Sequence, residues 1–310
     1  MTCQPNMGKD CMETKWKLCV TSKILQKTET GDAIPFEEAL RFLKAAGFEE
    51  IDFGFDSKML LQEDWISGFE KKLRLCEQMN VRVRYAHLPY NYPKTEEKEA
   101  WHDFYRASCR AMDLAQMAGA DCAAINPRTT MTQAYDPEKE HGQALAFLTL
   151  FQEYAQKIGF PLALENMRGP GRSASGAICR YGMETEDVIR LADELGMGIC
   201  WDTGHGNISG QDQYASLLKI GKRLKMVHIN DNEGEDDVHL APFLGKIDWP
   251  QVIKALKEIH YTGSLNLEVH CNKLPDDLRT AYAVYMGCAA KKLQSMMIKE
   301  QQMKSIQIHP

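Results

Sequence analysis

The chain has 310 residues, long enough for two ordinary domains or one large single-core barrel and too long for a minidomain. Its hydrophobic fraction of 44% and charged fraction of 26% are those of a globular protein with a substantial core, which excludes wholesale disorder. A net charge of −6 at pH 7 opposes long-range attraction to nucleic acid or anionic lipid.

The N-terminal stretch MTCQPNMGKDCMETKWK has no apolar signal core, and residues 1–15 read as an arm. From there short apolar runs alternate with segments of helical periodicity. The strand candidates are KLCVTS at 17, EIDFGF at 50, VRVRYAHL at 81, DCAAINP at 121, PLALEN at 161, MGICWDTG at 197, KMVHIND at 225 and SLNLEV at 264. Between the first two, PFEEALRFLKAAGF places Phe36, Leu40, Leu43 and Ala46 on one helical face. Pro35 suits its first turn and Gly47 its end. Successive strand starts average about 35 residues apart, the length of a strand, a helix and two short loops. Each run is almost wholly apolar and turns polar only at its C-terminal end, as parallel strands covered on both faces do. Eight such units predict a single (β/α)8 TIM barrel over 16–298, followed by a polar tail at 299–310, KEQQMKSIQIHP. The alternative, a doubly wound open sheet, lacks a G-x-G-x-x-G after the first strand.

Ten cysteines are scattered without a C-x-x-C pair, which predicts a reducing, cytoplasmic setting; Cys19, Cys122 and Cys200 read as buried hydrophobes within strands. No window approaches the ~18 consecutive apolar residues of a membrane span.

In such a barrel, polar residues at C-terminal strand ends face a shared bowl. They are His87 on strand three, Asn126 on strand four, Glu165 on strand five, Asp202 with His205 on strand six, His228 and Asn230 on strand seven, and Glu268 with His270 on strand eight. Each has a structural explanation taken singly: a strand-end carboxylate capping the next helix, or Asp202 accepting from the turn amides of TGHG. Together, two Glu, one Asp and one His at successive strand ends five to eight would repel or force protonation unless a cation sits among them. Such a set suits one fairly hard divalent ion, Mn²⁺ first, then Mg²⁺, Co²⁺ or Zn²⁺. His102, His141, His260 and His309 fall in helical or terminal segments and read as surface groups, and EGEDD at 233–237 reads mainly as a solvated turn.

With LALEN, WDTGHGN, HINDNEGEDDVHLAPFLGKIDW and LEVH in this order, the chain resembles the xylose-isomerase-like barrel superfamily of sugar isomerases and epimerases, inosose dehydratases and type IV AP endonucleases. The resemblance implies a metal quartet of Glu165, Asp202, His228 and Glu268, with His87, His205 and His239 lining the substrate pocket. Asp237-Val238-His239 is similar to a D-x-H of the endonuclease branch. It also implies homo-oligomers and, in the C-glycoside-cleaving branch, a small partner subunit.

The chemistry expected is proton transfer beside a carbonyl of a small carbohydrate, through a metal-stabilised enediolate. Glu165 and Glu268, on opposite sides of the ion, are the acid/base pair; return of the proton to the other face epimerises, and return to the neighbouring carbon isomerises. His205 and His87 suit sugar hydroxyls, and Arg168 suits a carboxylate or phosphate if the substrate has one. Where ketose 3-epimerases of the family carry an arginine six residues past the strand-seven histidine, this chain has Gly234. That weakens a plain ketose 3-epimerase and leaves β-elimination on a keto-sugar, by an inosose dehydratase or a C-glycoside-cleaving lyase, as the alternative. A phosphodiesterase would need a strand-four histidine where Asn126 stands, and a basic surface. A non-catalytic sugar-binding barrel would not need both glutamates.

Overall fold

The computed structural model describes residues 16–171, 178–271 and 274–306. The proposed arm at 1–15, the last four residues of the tail and His309 lie outside the described residues. All eight strands form where apolar runs predict them: β1 (Leu18–Thr21), β2 (Glu50–Gly54), β3 (Arg82–His87), β4 (Ala123–Ile125), β5 (Leu162–Glu165), β6 (Gly198–Asp202), β7 (Leu224–His228) and β8 (Leu265–Leu267). Ten α-helices are described. Those before β5 are α1 (Phe36–Ala45), α2 (Ser57–Leu60), α3 (Trp65–Gln78), α4 (Lys98–Met117) and α5 (Pro137–Ile158). Those after it are α6 (Thr185–Leu195), α7 (Thr203–Ile208), α8 (Gln213–Ile220), α9 (Trp249–Glu258) and α10 (Asp276–Ile306).

Local chemistry sets these boundaries. Asp136 caps α5 through the amides of Glu138 and Lys139, Pro137 fills its first position, and Gly159 ends it at φ 71°. Pro35 sits one residue before α1 rather than inside its first turn, and Gly47 at φ 96° carries the chain away from its C-terminus. The last helix continues through 306, so residues 299–306 of the expected tail are helical.

Every strand pairing is parallel, in the order β7-β6-β5-β4-β3-β2-β1-β8. A bridge between Ile229 and Leu267 draws the ends together, with Ile229 N donating to Asn266 O at 2.8 Å and Glu268 N to Ile229 O at 2.9 Å. This nearly closed (β/α)8 ring excludes the open doubly wound sheet.

Period-two alternation divides each strand between two cores. Val20, Ala86, Ala123, Leu164 and Trp201 pack under the helices in the main hydrophobic cluster. Their neighbours Cys19, Tyr85, Cys122, Ala124, Ala163, Cys200 and Met226 form a separate cluster that fills the ring. The three strand cysteines are therefore core groups, as expected. Burial pushes the Cys122 thiol up to about 12 and the Cys19 and Cys200 thiols well above their ordinary value. Among the described residues no helix is long and apolar enough to cross a membrane.

His141 departs from the sequence expectation. It is buried within α5, its Nδ1 2.6 Å from Tyr181 Oη and its Nε2 3.0 Å from Glu194 Oε2, and so ties α5 to α6. His102 and His260 are exposed.

Candidate metal centre

Two residues beyond the ring-filling layer, the same inward parity brings His87, Asn126, Glu165, Asp202, His228 and Glu268 to the C-terminal end of the barrel. Glu165, Asp202, His228 and Glu268 each offer a ligand atom, and these atoms lie within 4.8 Å of one another. Glu165, Asp202 and His228 are at most 1% exposed.

His228 is held from behind. Its Nε2 lies 3.2 Å from Asp52 Oδ2, which also accepts from Asn266 Nδ2 at 2.9 Å. Its Nδ1 then faces Glu165 Oε1 at 2.8 Å and Glu268 Oε2 at 3.2 Å. Asp52 escaped the sequence reading; its signal was a carboxylate in the middle of the strand run EIDFGF, costly to bury without a partner. Such a carboxylate behind a ligating imidazole fixes ring orientation and raises ligand basicity.

Glu165 is oriented on its other oxygen. Asn126 Nδ2 donates to Oε2 at 2.6 Å, and His87 Nε2 stands 3.2 Å away while its Nδ1 donates to Leu88 O. Asn126, read in the sequence as a bowl-facing strand-end group and as the residue standing where a phosphodiesterase would need a histidine, thus holds the Glu165 carboxylate. Asp202 meets its capping reading, Oδ1 accepting from His205 N at the start of α7 at 2.7 Å, while Oδ2 accepts from Asn230 Nδ2 at 2.9 Å.

The electrostatics describe a site short of positive charge. Burial, then the charges of Glu268 and Glu165 against that of His205, push the Asp202 carboxyl up to about 6. Burial opposes charge on Glu165 too, yet His228 and His87 outweigh it and hold that carboxyl well below the usual range. An imidazole nitrogen 2.8 Å from a carboxylate oxygen has a proton or a cation between them. The converging donor set, three carboxylates and one imidazole braced by Asp52, fits a divalent cation.

The remaining predicted residues form the rim. His205 Nδ1 donates to Asn166 O at 2.8 Å, and its Nε2 stands 3.4 Å from Asp237 Oδ2. His239, at φ 47°, donates Nδ1 to Glu268 O at 2.7 Å, with Nε2 3.2 Å from Asp237 Oδ1. Burial would lower both imidazoles, but Asp202 and Asp237 raise His205 to about 10, and Asp237 and Glu268 raise His239 to about 9. Arg168 Nε lies 3.7 Å from Asp237 Oδ2. Asp237 is therefore drawn into the bowl, whereas Glu233 and Asp236 of the same acidic run are exposed. The loop carrying them is pinned by buried Asp231, which accepts from the amides of Asn232, Phe243 and Ile247 and from Trp249 Nε1.

All eight predicted site residues thus meet in one region, and His87, Glu165, Arg168, His205, His239 and Glu268 line a cavity of about 410 Å³ above the buried Asp202 and His228. Its wall also carries Lys23, Tyr90, Tyr92 and Arg180, none of which the sequence pattern singled out.

Known proteins share this plan. The y4fM protein of Sinorhizobium fredii is 39% identical over 72 residues, 23% of each chain. D-psicose 3-epimerase from Enterocloster bolteae is 27% identical over 121 residues, 34% of this chain and 38% of that one. Inosose dehydratase from Mesomycoplasma hyopneumoniae is 21% identical over 217 residues, 66% of this chain and 64% of that one. The chain spans less than two thirds of the length of each. Among solved structures, L-ribulose 3-epimerase superposes with a TM-score of 0.72 at 15% identity, over 95% of this chain and 100% of that one. An IolI protein with a zinc atom bound superposes with a TM-score of 0.67 at 19% identity, over 91% and 98%. At these identities the structural matches establish the fold. The family model described as xylose isomerase-like TIM barrel matches residues 31–286, and the chain belongs to that family.

Proposed function

We propose that this protein is a divalent-metal-dependent isomerase or epimerase of a small carbohydrate, with Glu165 and Glu268 as the proton-transferring pair. One observation carries the reading: two carboxylates from separate strand ends, β5 and the end of β8, converge on His228 Nδ1 at 2.8 and 3.2 Å, at the base of the cavity. In our reading Glu165, Asp202, His228 and Glu268 hold Mn²⁺, with Mg²⁺, Co²⁺ or Zn²⁺ as substitutes. The bound ion would supply Lewis acidity, drawing electron density from neighbouring substrate oxygens as negative charge develops.

The chain's own residues do the rest. Glu165, its second oxygen held by Asn126 and His87, is oriented to take a proton from the carbon beside the carbonyl, and Glu268 to return one from the other side. His87 and His205 are assigned to sugar hydroxyls, which they would take up through the Nε2 atoms that face Glu165 and Asp237. Asp52 keeps His228 in register. The named activities of D-psicose 3-epimerase and inosose dehydratase bracket this chemistry, since epimerisation and elimination both begin by removing such a proton.

Elimination is favoured by two features. Gly234 stands where ketose 3-epimerases of the family carry an arginine, and the His205–Asp237–His239 group places two imidazoles at the rim as proton donors for a departing oxygen. Incubating the Mn²⁺-loaded protein in D₂O with ketoses, inososes and 3-keto glycosides tests both. Deuterium at carbon with the skeleton retained supports isomerisation; an ultraviolet-absorbing enone or a released aglycone supports elimination; neither outcome with any sugar overturns both.

A further inference from the structure

Two guanidiniums stand together on the β4–β5 side of the bowl. Arg168 and Arg180 both line the cavity beside Glu165. Arg180 is half-buried, and its Nε–H donates to Thr129 Oγ1 at 3.1 Å, Thr129 itself being 7% exposed. That bond fixes the guanidinium plane and leaves its terminal NH₂ groups without a hydrogen-bond partner among the described residues. No carboxylate of the described residues lies within ion-pair distance of Arg180 either; Asp237 and Glu165 act on it from longer range, and Arg168 opposes them. Arg168 reaches only Asp237, at 3.7 Å, and Asp237 is already shared by His205 and His239.

An arginine side chain stays charged at any working pH, and a half-buried pair of like charges is tolerated where something else brings the counter-charge. A cation held by Glu165, Asp202 and Glu268 would offset the charge of Glu165 and leave Asp237 as the carboxylate acting on Arg180 from longer range. On the opposite side Lys23 Nζ is engaged by Phe55 O at 3.3 Å and lies 4.8 Å over the Tyr90 ring, so the uncommitted donors are those of the arginine pair.

The geometry points to an anionic substrate: a small carbohydrate bearing a carboxylate or phosphate oxyanion, whose charged end seats between Arg168 and Arg180 while its reacting carbons face Glu165 and Glu268. The proposal rests on the proton-transfer reading for the reacting end only. Planar N–H forks suit such oxyanions, and about 410 Å³ accommodates a monosaccharide with one charged substituent.

Calorimetric titration of the Mn²⁺-loaded full chain with D-fructose, D-fructuronate and D-fructose 6-phosphate tests it. At least one charged ligand should bind about tenfold or more tighter than fructose, and which one does so separates carboxylate from phosphate. Arg168→Gln and Arg180→Gln should each collapse that preference by about tenfold, and Arg180→Lys, which keeps the charge and loses the fork, should retain part of it. Equal affinities within twofold would overturn the proposal, as would a preference that survives both glutamine variants. The wild-type ratio needs no variant, so a substitution that prevents folding leaves the test standing. Charged-ligand preference without deuterium exchange on any sugar overturns the proton-transfer reading alone; exchange on neutral sugars without the preference overturns this inference alone.

Discussion

The two ends of the barrel bury carboxylates and solve the resulting problem differently. At the N-terminal end, Glu50 is 1% exposed, and the chain provides its company: Ser264 Oγ donates to Oε2, Lys17 stands 3.6 Å from Oε1, and Arg84 stands 4.0 Å from Oε2. Tyr85 and Tyr261 seal the same end, with Ser264 N donating to Tyr85 Oη at 2.9 Å. At the C-terminal end three carboxylates crowd one imidazole, with no lysine or arginine within ion-pair distance of any of the three among the described residues. The closed end sets a lysine and an arginine beside its carboxylate, whereas the open end sets imidazoles there and, in the function proposed above, a cation. A buried carboxylate is thus a weak marker of function until its counter-charge has been accounted for.

The largest effect expected to break this contrast is at the open end. Glu165→Gln or Glu268→Gln should lower carbon-bound deuterium exchange by about 10²–10⁴-fold, read by mass spectrometry. Full exchange in Glu165→Gln would remove it from the acid/base pair. Stripping the protein with a chelator should lower its melting midpoint, and returning Mn²⁺ to about 100 times its Kd should restore roughly 2.7 kcal/mol by mass action. An unchanged melting curve would show that the open end is as self-sufficient as the closed one. Asp52→Asn should weaken the cation by about 10–100-fold in a titration while leaving the four donors in place. Smallest is Glu50→Gln, expected to cost about 1–3 kcal/mol in denaturant unfolding with cation affinity unchanged. A loss of affinity there would mean that the two ends are coupled.

The fold was legible because parallel strands covered on both faces are short, nearly unbroken apolar runs, and eight of them at even spacing permit few arrangements. The quartet was legible because polar residues ending such runs share one bowl by topology. What escaped depends on partners distant in sequence. Asp52 acquires its role from His228, 176 positions away. His141 lies on an amphipathic helix whose periodicity says nothing of Tyr181, 40 positions on. Arg180 follows a Gly- and Ser-rich stretch without periodicity, so nothing in the sequence pattern put it at the same cavity as Arg168.

The seam that closes the ring deserves a mechanical reading. Among the described residues the Ile229–Leu267 bridge supplies the ladder pairing between the β7 and β8 ends, and His228 and Glu268 flank that joint from either side. A cation gripped by both would be a rivet across the last gap of the cylinder, so arming the centre and finishing the wall are one event. Amide protons of Ile229 and Glu268 would then report the rivet directly, exchanging with solvent more slowly when it is in place.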